Sequence, residues 1–340
     1  MLKKSLIRSL HFFSSSIPLT WLKALSGQDF LAIFYHTISD HELPHIKHLY
    51  AVRGSALFER DLDYLLKHFT PIGLIELVEA VYQNKKLPSN SFLLTFDDGL
   101  SECYHIIAPI LKRKGIPATF FINSDFVDNK ALMFRYKASY LIEELFQRKI
   151  STSQITPFFE QYQIPFQDIR SGLLSIRWHQ EPVLNSIAKA FQIDFRLFLQ
   201  QQQPYLSQTQ IAQMIKDGFT FGSHSQNHPT YNTIDLPSQI EQTLLSQAYL
   251  NQYFQLPYQT FAFPFTDSGV SNAFFDKILG EENFQLTFGG AGLKHEKIKG
   301  QLQRFGMETQ QLSTPKQLIH TEYCYYIIKS IFRKNAIYRN

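Results

Sequence analysis

Short runs of apolar, β-prone residues alternate with stretches of helical periodicity along most of the chain. Residues 30–35 form the first run. Residues 92–96, 118–122, 219–221, 260–263 and 284–288 come next, with 302–305 as a weaker seventh. Each is too short for a helix, and the first six are predominantly apolar, as expected of strands buried on both faces. Helical patterns lie between them at 57–68, 104–114, 208–217 and 238–254. Ser207 supplies an N-cap for one of these, and Gly115 and Gly218 supply helix stops. Strands that alternate with helices imply right-handed crossovers and a parallel sheet. Seven such units predict an α/β chain folded as a closed or nearly closed (β/α) barrel rather than an open doubly wound sheet. No glycine-rich phosphate loop comes after the first run, which argues against a nucleotide-binding fold.

Residues 130–206 break the rhythm. They hold helical patterns, a glutamine run at 200–203 and no convincing strand. They read as a helical insertion between two barrel parts, 27–129 and 207–312, at a position where barrel insertions often shape a substrate site. Residues 1–26 read as a basic amphipathic segment with Trp21 and several leucines, and 313–340 as a C-terminal basic helix. Both segments suit packing on the barrel or peripheral contact with a membrane surface.

Composition narrows the class. Hydrophobic residues make up 44% and charged residues 18% of the 340, enough apolar material for a large folded core. A net charge of +4 is too small to argue for nucleic acid, and no basic stripe interleaved with aromatics runs through the middle of the chain. Cys103 and Cys324 fall in apolar helical patterns and read as buried free thiols. Lys3, Lys4 and Arg8 resemble the basic start of a signal peptide. His11, the serines at 14–16 and Lys23 interrupt the apolar stretch that such a peptide needs, and no small-residue cleavage site appears. The expected location is therefore the cytoplasm or the cytoplasmic face of a membrane.

The chemistry is concentrated in two short segments. Asp97 and Asp98 stand together where the second apolar run ends, a costly placement unless a metal, proton or substrate uses them. His224 and His228 come after the fourth run, four residues apart, a spacing that brings two imidazoles to one side of a helical turn. Two histidines and one carboxylate make an open ligand set for a catalytic Zn²⁺, and the second carboxylate is left to act as a base.

These segments carry a family resemblance. Thr95-Phe96-Asp97-Asp98-Gly99 and His224-Ser225-Gln226-Asn227-His228-Pro229 resemble the first two signatures of the polysaccharide deacetylases, the NodB-homology family (carbohydrate esterase family 4). Residues 108–122 resemble the family's segment after the acidic pair. The likeness covers residues 30–125 and 205–310. It implies a distorted, seven-stranded (β/α) barrel and removal of N-acetyl groups from an amino-sugar polysaccharide or glycoconjugate. Asp98, His224 and His228 would bind a divalent metal, with Zn²⁺ expected and Co²⁺, Ni²⁺ or Fe²⁺ also compatible. Asp97 would be the general base.

The chain departs from the family pattern in three places. The late Leu-x-His motif, which supplies a general acid, has no match. His295 lies in a polar stretch and His320 in a helical pattern. A branch resembling biofilm-polysaccharide deacetylases carries this histidine on the first strand, and His36 ends the first run here. The third signature survives as Phe263-Pro264-Phe265, whose Pro264 matches and whose Phe265 backbone N–H would face the oxyanion. Its arginine is missing, and Arg304 is the candidate replacement beside Asp97. Asp267 either orients His36 or makes the turn before Ser268. His41, His45 and His48, with Pro44 among them, read as a rim over the site rather than a second ligand set. Two other readings stay open: hydrolysis of an amide or ester that is not on a sugar, and a catalytically silent glycan-binding protein.

Overall fold

The computed structural model describes residues 13–308 and 313–339. Expectations for residues 1–12 lie outside the described residues. In chain order, α1 (Leu19–Ser26) leads into β1 (Phe30–Tyr35), α2 (Ser55–His68), β2 (Thr70–Pro71), α3 (Leu74–Gln83) and β3 (Ser91–Phe96). Next come α4 (Ala108–Lys114) and β4 (Thr119–Ile122). Five helices come next: α5 (Phe134–Gln147), α6 (Thr152–Gln161), α7 (Ile169–Ser175), α8 (Glu181–Ala190) and α9 (Phe195–Gln202). The chain continues through α10 (Gln208–Lys216), β5 (Thr220–Ser223), α11 (Leu236–Phe254), β6 (Thr260–Ala262) and α12 (Asn272–Phe275). It ends with β7 (Leu286–Gly289), β8 (Gln301–Gln303), β9 (Phe305–Gly306) and α13 (Pro315–Ile331).

The sheet runs β8-β7-β6-β5-β4-β3-β1-β9, and β2 pairs with β3 off this path. All of these pairings are parallel. β8 pairs with β7 and β9 pairs with β1, yet only Arg304 separates β8 from β9. One segment thus joins both ends of the sheet and makes a nearly closed (β/α) barrel of seven staves. The weak seventh run, 302–305, becomes this split stave because its residues turn from one neighbour to the other at Arg304.

Strand periodicity sorts the side chains. Phe92, Leu94 and Phe96 pack outward against α2 and α4, in one cluster with Leu62, Leu65 and Leu111. Leu93 belongs instead to the cluster with Phe121, Ala262, Leu286 and Phe288. Successive residues face opposite sides of a strand, so Leu93, Thr95 and Asp97 share the inner row. Gly222 is required by that interior. A Cβ there would sit 2.5 Å from the Phe121 ring.

Two local differences from the sequence expectation have simple causes. The helix expected at 104–114 opens with a π-helical stretch, Cys103–Ile107, before α4. Pro109 has no N–H to bond back to His105, so the backbone widens there. Residues 224–228 are not helical. Ser225 and His228 have φ of 68° and 63°, and Ser225 Oγ accepts the His228 N–H at 3.0 Å.

The helices α5–α9 occupy residues 134–202 and share a core of their own, which includes Leu141, Leu145, Ile155, Phe159, Leu184 and Ile187. At the termini, Leu19 and Leu22 are buried beside α13, while Trp21 and Leu25 point outward. Among the described residues, no helix is long and apolar enough to cross a membrane.

Candidate active site

The acidic pair sits where the inner row of β3 leaves the barrel. The Asp97 N–H is held by the Tyr35 carbonyl of β1 at 2.9 Å. Asp98 and Gly99 then turn with φ of 71° and 66°. A Cβ at Gly99 would lie 2.9 Å from Ile122 Cγ2, so only glycine fits this turn. Asp98 and His228, like Phe265 at φ 57°, hold a left-handed backbone that disfavours bulky residues, a strain often concentrated at functional sites.

Asp98, His224 and His228 are buried, and their potential ligand atoms lie within 4.8 Å of one another. Asp98 Oδ1 is 3.4 Å from His224 Nε2 and 3.1 Å from His228 Nε2, yet it makes no hydrogen bond. A tetrahedral ion with ligand bonds of about 2.0–2.1 Å would separate its ligand atoms by about 3.4 Å. The donor set therefore fits a dication. His224 Nδ1 lies 2.7 Å from the Ala262 carbonyl, which fixes the tautomer and leaves Nε2 with its lone pair inward. Burial pulls the His228 pKa down and favours the neutral ligand form. Burial alone would raise the Asp98 pKa, but His228 and His224 outweigh it and keep the carboxyl ionised.

Asp97 faces Arg304. The guanidinium donates from Nη1 to Oδ1 and from Nη2 to Oδ2, each at 2.8 Å, and also from Nη1 to Thr95 Oγ1 at 2.9 Å. It is packed among the rings of Phe34, Phe121 and Phe288, 4.9–5.8 Å from their centres. Burial would raise the Asp97 pKa; the Arg304 charge and bonds, with His224 and His36, bring it below the ordinary value.

His36 is half-buried, with Nδ1 2.6 Å from Glu308 Oε2. The other Glu308 oxygen accepts the backbone N–H groups of His36 and Thr37 at 2.9 and 3.0 Å. Burial disfavours the imidazolium, but Glu308 more than compensates and the His36 pKa rises to about 9. Asp267 is not its partner. The Asp267 carboxylate accepts from Gln301 and Gln303 at 2.9 and 2.6 Å and pairs with Arg339.

A cavity of about 420 Å³ opens over these groups, lined by His36, Asp97, Asp98, His224, His228 and Arg304 among others. Phe265 lies at its wall with its ring against His228, and among the described residues no acceptor takes its backbone N–H. Pro264 is buried just behind, its carbonyl accepting the Thr266 N–H at 2.6 Å. His48 reaches the cavity and pairs with Glu143 at 3.1 Å, while His45 is buried between the rings of Tyr136 and Phe198. His295 and His320 are elsewhere. The first bridges to Ala336, and the second bonds Tyr64 and Ser14.

The profile of the polysaccharide deacetylase family matches residues 84–166 and 179–280, more than half of the chain. The chain belongs to the polysaccharide deacetylase family. It is also 31% identical over 102 residues to the poly-β-1,6-N-acetyl-D-glucosamine N-deacetylase of Escherichia coli K12. That match covers 30% of this chain and 15% of the relative, so the chain spans a small part of that protein's length. Among solved structures, the deacetylase PplD of Streptococcus pyogenes, in complex with acetate, aligns with a TM-score of 0.56 at 16% identity. It covers 86% of this chain and 97% of that one. IcaB from Ammonifex degensii aligns with a TM-score of 0.54 at 18% identity, over 87% of this chain and 98% of that one.

In this member of the polysaccharide deacetylase family, two polar groups at the site escaped sequence reasoning. Glu308 comes after the last strand on the row of Arg304 and Gly306, much as Asp97 comes after β3, and that spacing was a usable signal. Tyr136 comes from α5 and donates its hydroxyl to Asp98 Oδ2 at 2.6 Å. Nothing in its local sequence marks it. Met133, Arg135 and Leu174, from the same stretch between β4 and β5, also line the cavity.

Proposed function

We propose that this chain is a metal-dependent hydrolase that removes N-acetyl groups from an amino-sugar polysaccharide or glycoconjugate. The observation that carries this reading is the convergence of Asp98 Oδ1, His224 Nε2 and His228 Nε2 beside the Arg304-held Asp97 in one cavity. A divalent ion held by those three residues, with Zn²⁺ expected and Co²⁺, Ni²⁺ or Fe²⁺ also compatible, would supply Lewis acidity to the acetamide carbonyl and to water.

The remaining steps belong to the protein's own groups. Arg304 takes one lone pair on each Asp97 oxygen and leaves another toward the cavity, where Asp97 accepts the proton of the attacking water. The Phe265 N–H donates to the carbonyl oxygen as it gains charge. His36, kept protonated by Glu308, passes its proton to the departing amine. The products are the free amino sugar and acetate; Asp97 releases its proton to solvent and His36 regains one from solvent, which restores both groups.

The substrate class rests on family membership and on the similarity to a poly-β-1,6-N-acetyl-D-glucosamine N-deacetylase. The test is a zinc-loaded chain incubated with β-1,6-linked N-acetylglucosamine oligomers, other N-acetylated glycans, and simple amides and esters. Release of acetate with free amines from a glycan is the expected result. Turnover confined to the small amides or esters overturns the glycan assignment. Binding of glycans without any acetate release overturns the catalytic one.

A further inference from the structure

We propose that the inserted helices are part of the metal centre: Tyr136 of α5 is a positioning residue that turns Asp98 Oδ1 toward the ion and sets metal affinity. This rests on the reading of Asp98, His224 and His228 as metal ligands.

The two oxygens of Asp98 have different surroundings. Oδ2 accepts the Tyr136 hydroxyl at 2.6 Å, while Oδ1 faces His224 and His228 without a hydrogen bond. A neutral O–H on one oxygen of a carboxylate occupies that oxygen and leaves the other to ligate. Such outer partners commonly determine both ligand orientation and metal affinity. Both side chains are buried, so water cannot readily substitute for the tyrosine.

Tyr136 is itself held in place. Its ring stacks with Tyr205 at 6.2 Å, meets His45 edge-on at 5.2 Å, and its hydroxyl is 3.5 Å from that of Tyr50. The Tyr205 hydroxyl accepts the Met133 N–H at 3.0 Å just before α5 begins.

A backbone clamp supports the same turn. Leu206 N–H donates to the Gly99 carbonyl at 2.9 Å, and Ser101 N–H donates to the Pro204 carbonyl at 2.9 Å. Leu100 and Tyr205 form an antiparallel bridge between these bonds. The segment that leaves the inserted helices therefore grips the residues immediately after Asp98, while Tyr136 grips its side chain. Asp98 adopts φ 71°, a conformation that surrounding structure must hold. Without these contacts the carboxylate is free to rotate away from the histidines.

The test compares zinc binding by the metal-free full-length chain with that of Tyr136→Phe, using competition against a chromophoric chelator. A Tyr231→Phe control loses a comparable buried hydroxyl bond, to Thr243 at 2.8 Å, in another cluster. Tyr136→Phe should bind zinc roughly ten- to a hundredfold more weakly, and Tyr231→Phe should match the parent. A purely structural hydroxyl would lower the unfolding midpoint of the metal-free variant without changing zinc affinity, and that result overturns the proposal.

Should Tyr136→Phe fail to fold, a fluorotyrosine placed at position 136 alone keeps the hydroxyl. Its fluorine resonance should move as zinc is added, and a resonance indifferent to zinc overturns the proposal. Absence of zinc binding by the parent chain would instead overturn the assignment of Asp98, His224 and His228 as a metal centre.

Discussion

Arg304 and Asp97 meet through two parallel hydrogen bonds of 2.8 Å although 207 residues separate them in sequence. The arginine stands at the break in the seventh stave, and the aspartate directly follows β3. Closure of the barrel is what joins them. A planar guanidinium matches both carboxylate oxygens at once, whereas a lysine ammonium cannot.

Arg304→Met should therefore impair both stability and catalysis. Removal of one partner leaves a buried charge uncompensated, at a cost of about 3–5 kcal/mol. Arg304 lowers the Asp97 pKa, so its loss must raise it. The acid limb of the kcat/KM profile should move to higher pH, and Arg304→Lys should restore it only in part. An unchanged limb in a folded Arg304→Met chain removes Arg304 from the mechanism.

Asp97 and His224 should separate metal binding from turnover. Asp97→Asn should keep bound zinc and lose activity by roughly 10²–10⁴-fold. His224→Ala should lose zinc, measured by metal analysis after gel filtration. Chelator treatment of the parent should abolish activity, with recovery on addition of Zn²⁺ or Co²⁺. Full activity in Asp97→Asn excludes it as the base.

His36 and Glu308 should set the alkaline limb. Glu308 raises the His36 pKa, so Glu308→Gln must lower it. The acid form of His36 is then lost earlier as pH rises, and the alkaline limb should move down by about one to three pH units. His36→Ala should remove the limb and most of the rate. A limb that stays in place in Glu308→Gln shows that another group titrates there.

Much of the architecture was legible because it is local. The apolar runs mark β1, β3, β4, β5, β6 and β7 to within a few residues, and Ser207, Gly115 and Gly218 mark helix ends. The inner-row period of two carries Asp97 to the barrel mouth. The histidine spacing drew attention to 224 and 228, but no helical turn brings the two side chains together. Left-handed residues at Ser225 and His228 bend the segment so that both imidazoles face Asp98.

The partners of those residues were less legible. Asp267 looked available to His36, yet Gln301, Gln303 and Arg339 engage it, and Glu308 takes the role by geometry. The helical stretch between β4 and β5 carried no chemical signature, although it brings Tyr136 to Asp98.

The sequence by itself determined the succession of β1, β3, β4, β5, β6 and β7 with the helices α2, α4, α10 and α11, the adjacency of Asp97 and Asp98, and the spacing of His224 and His228. Short-range periodicity and backbone preference act over a few residues, so a linear pattern records them. Only the tertiary structure decided that Arg304 faces Asp97, that Glu308 faces His36, and that Tyr136 holds Asp98. Those contacts depend on barrel closure and on how the helices between β4 and β5 seat against it. They reflect the burial of whole surfaces rather than any local motif.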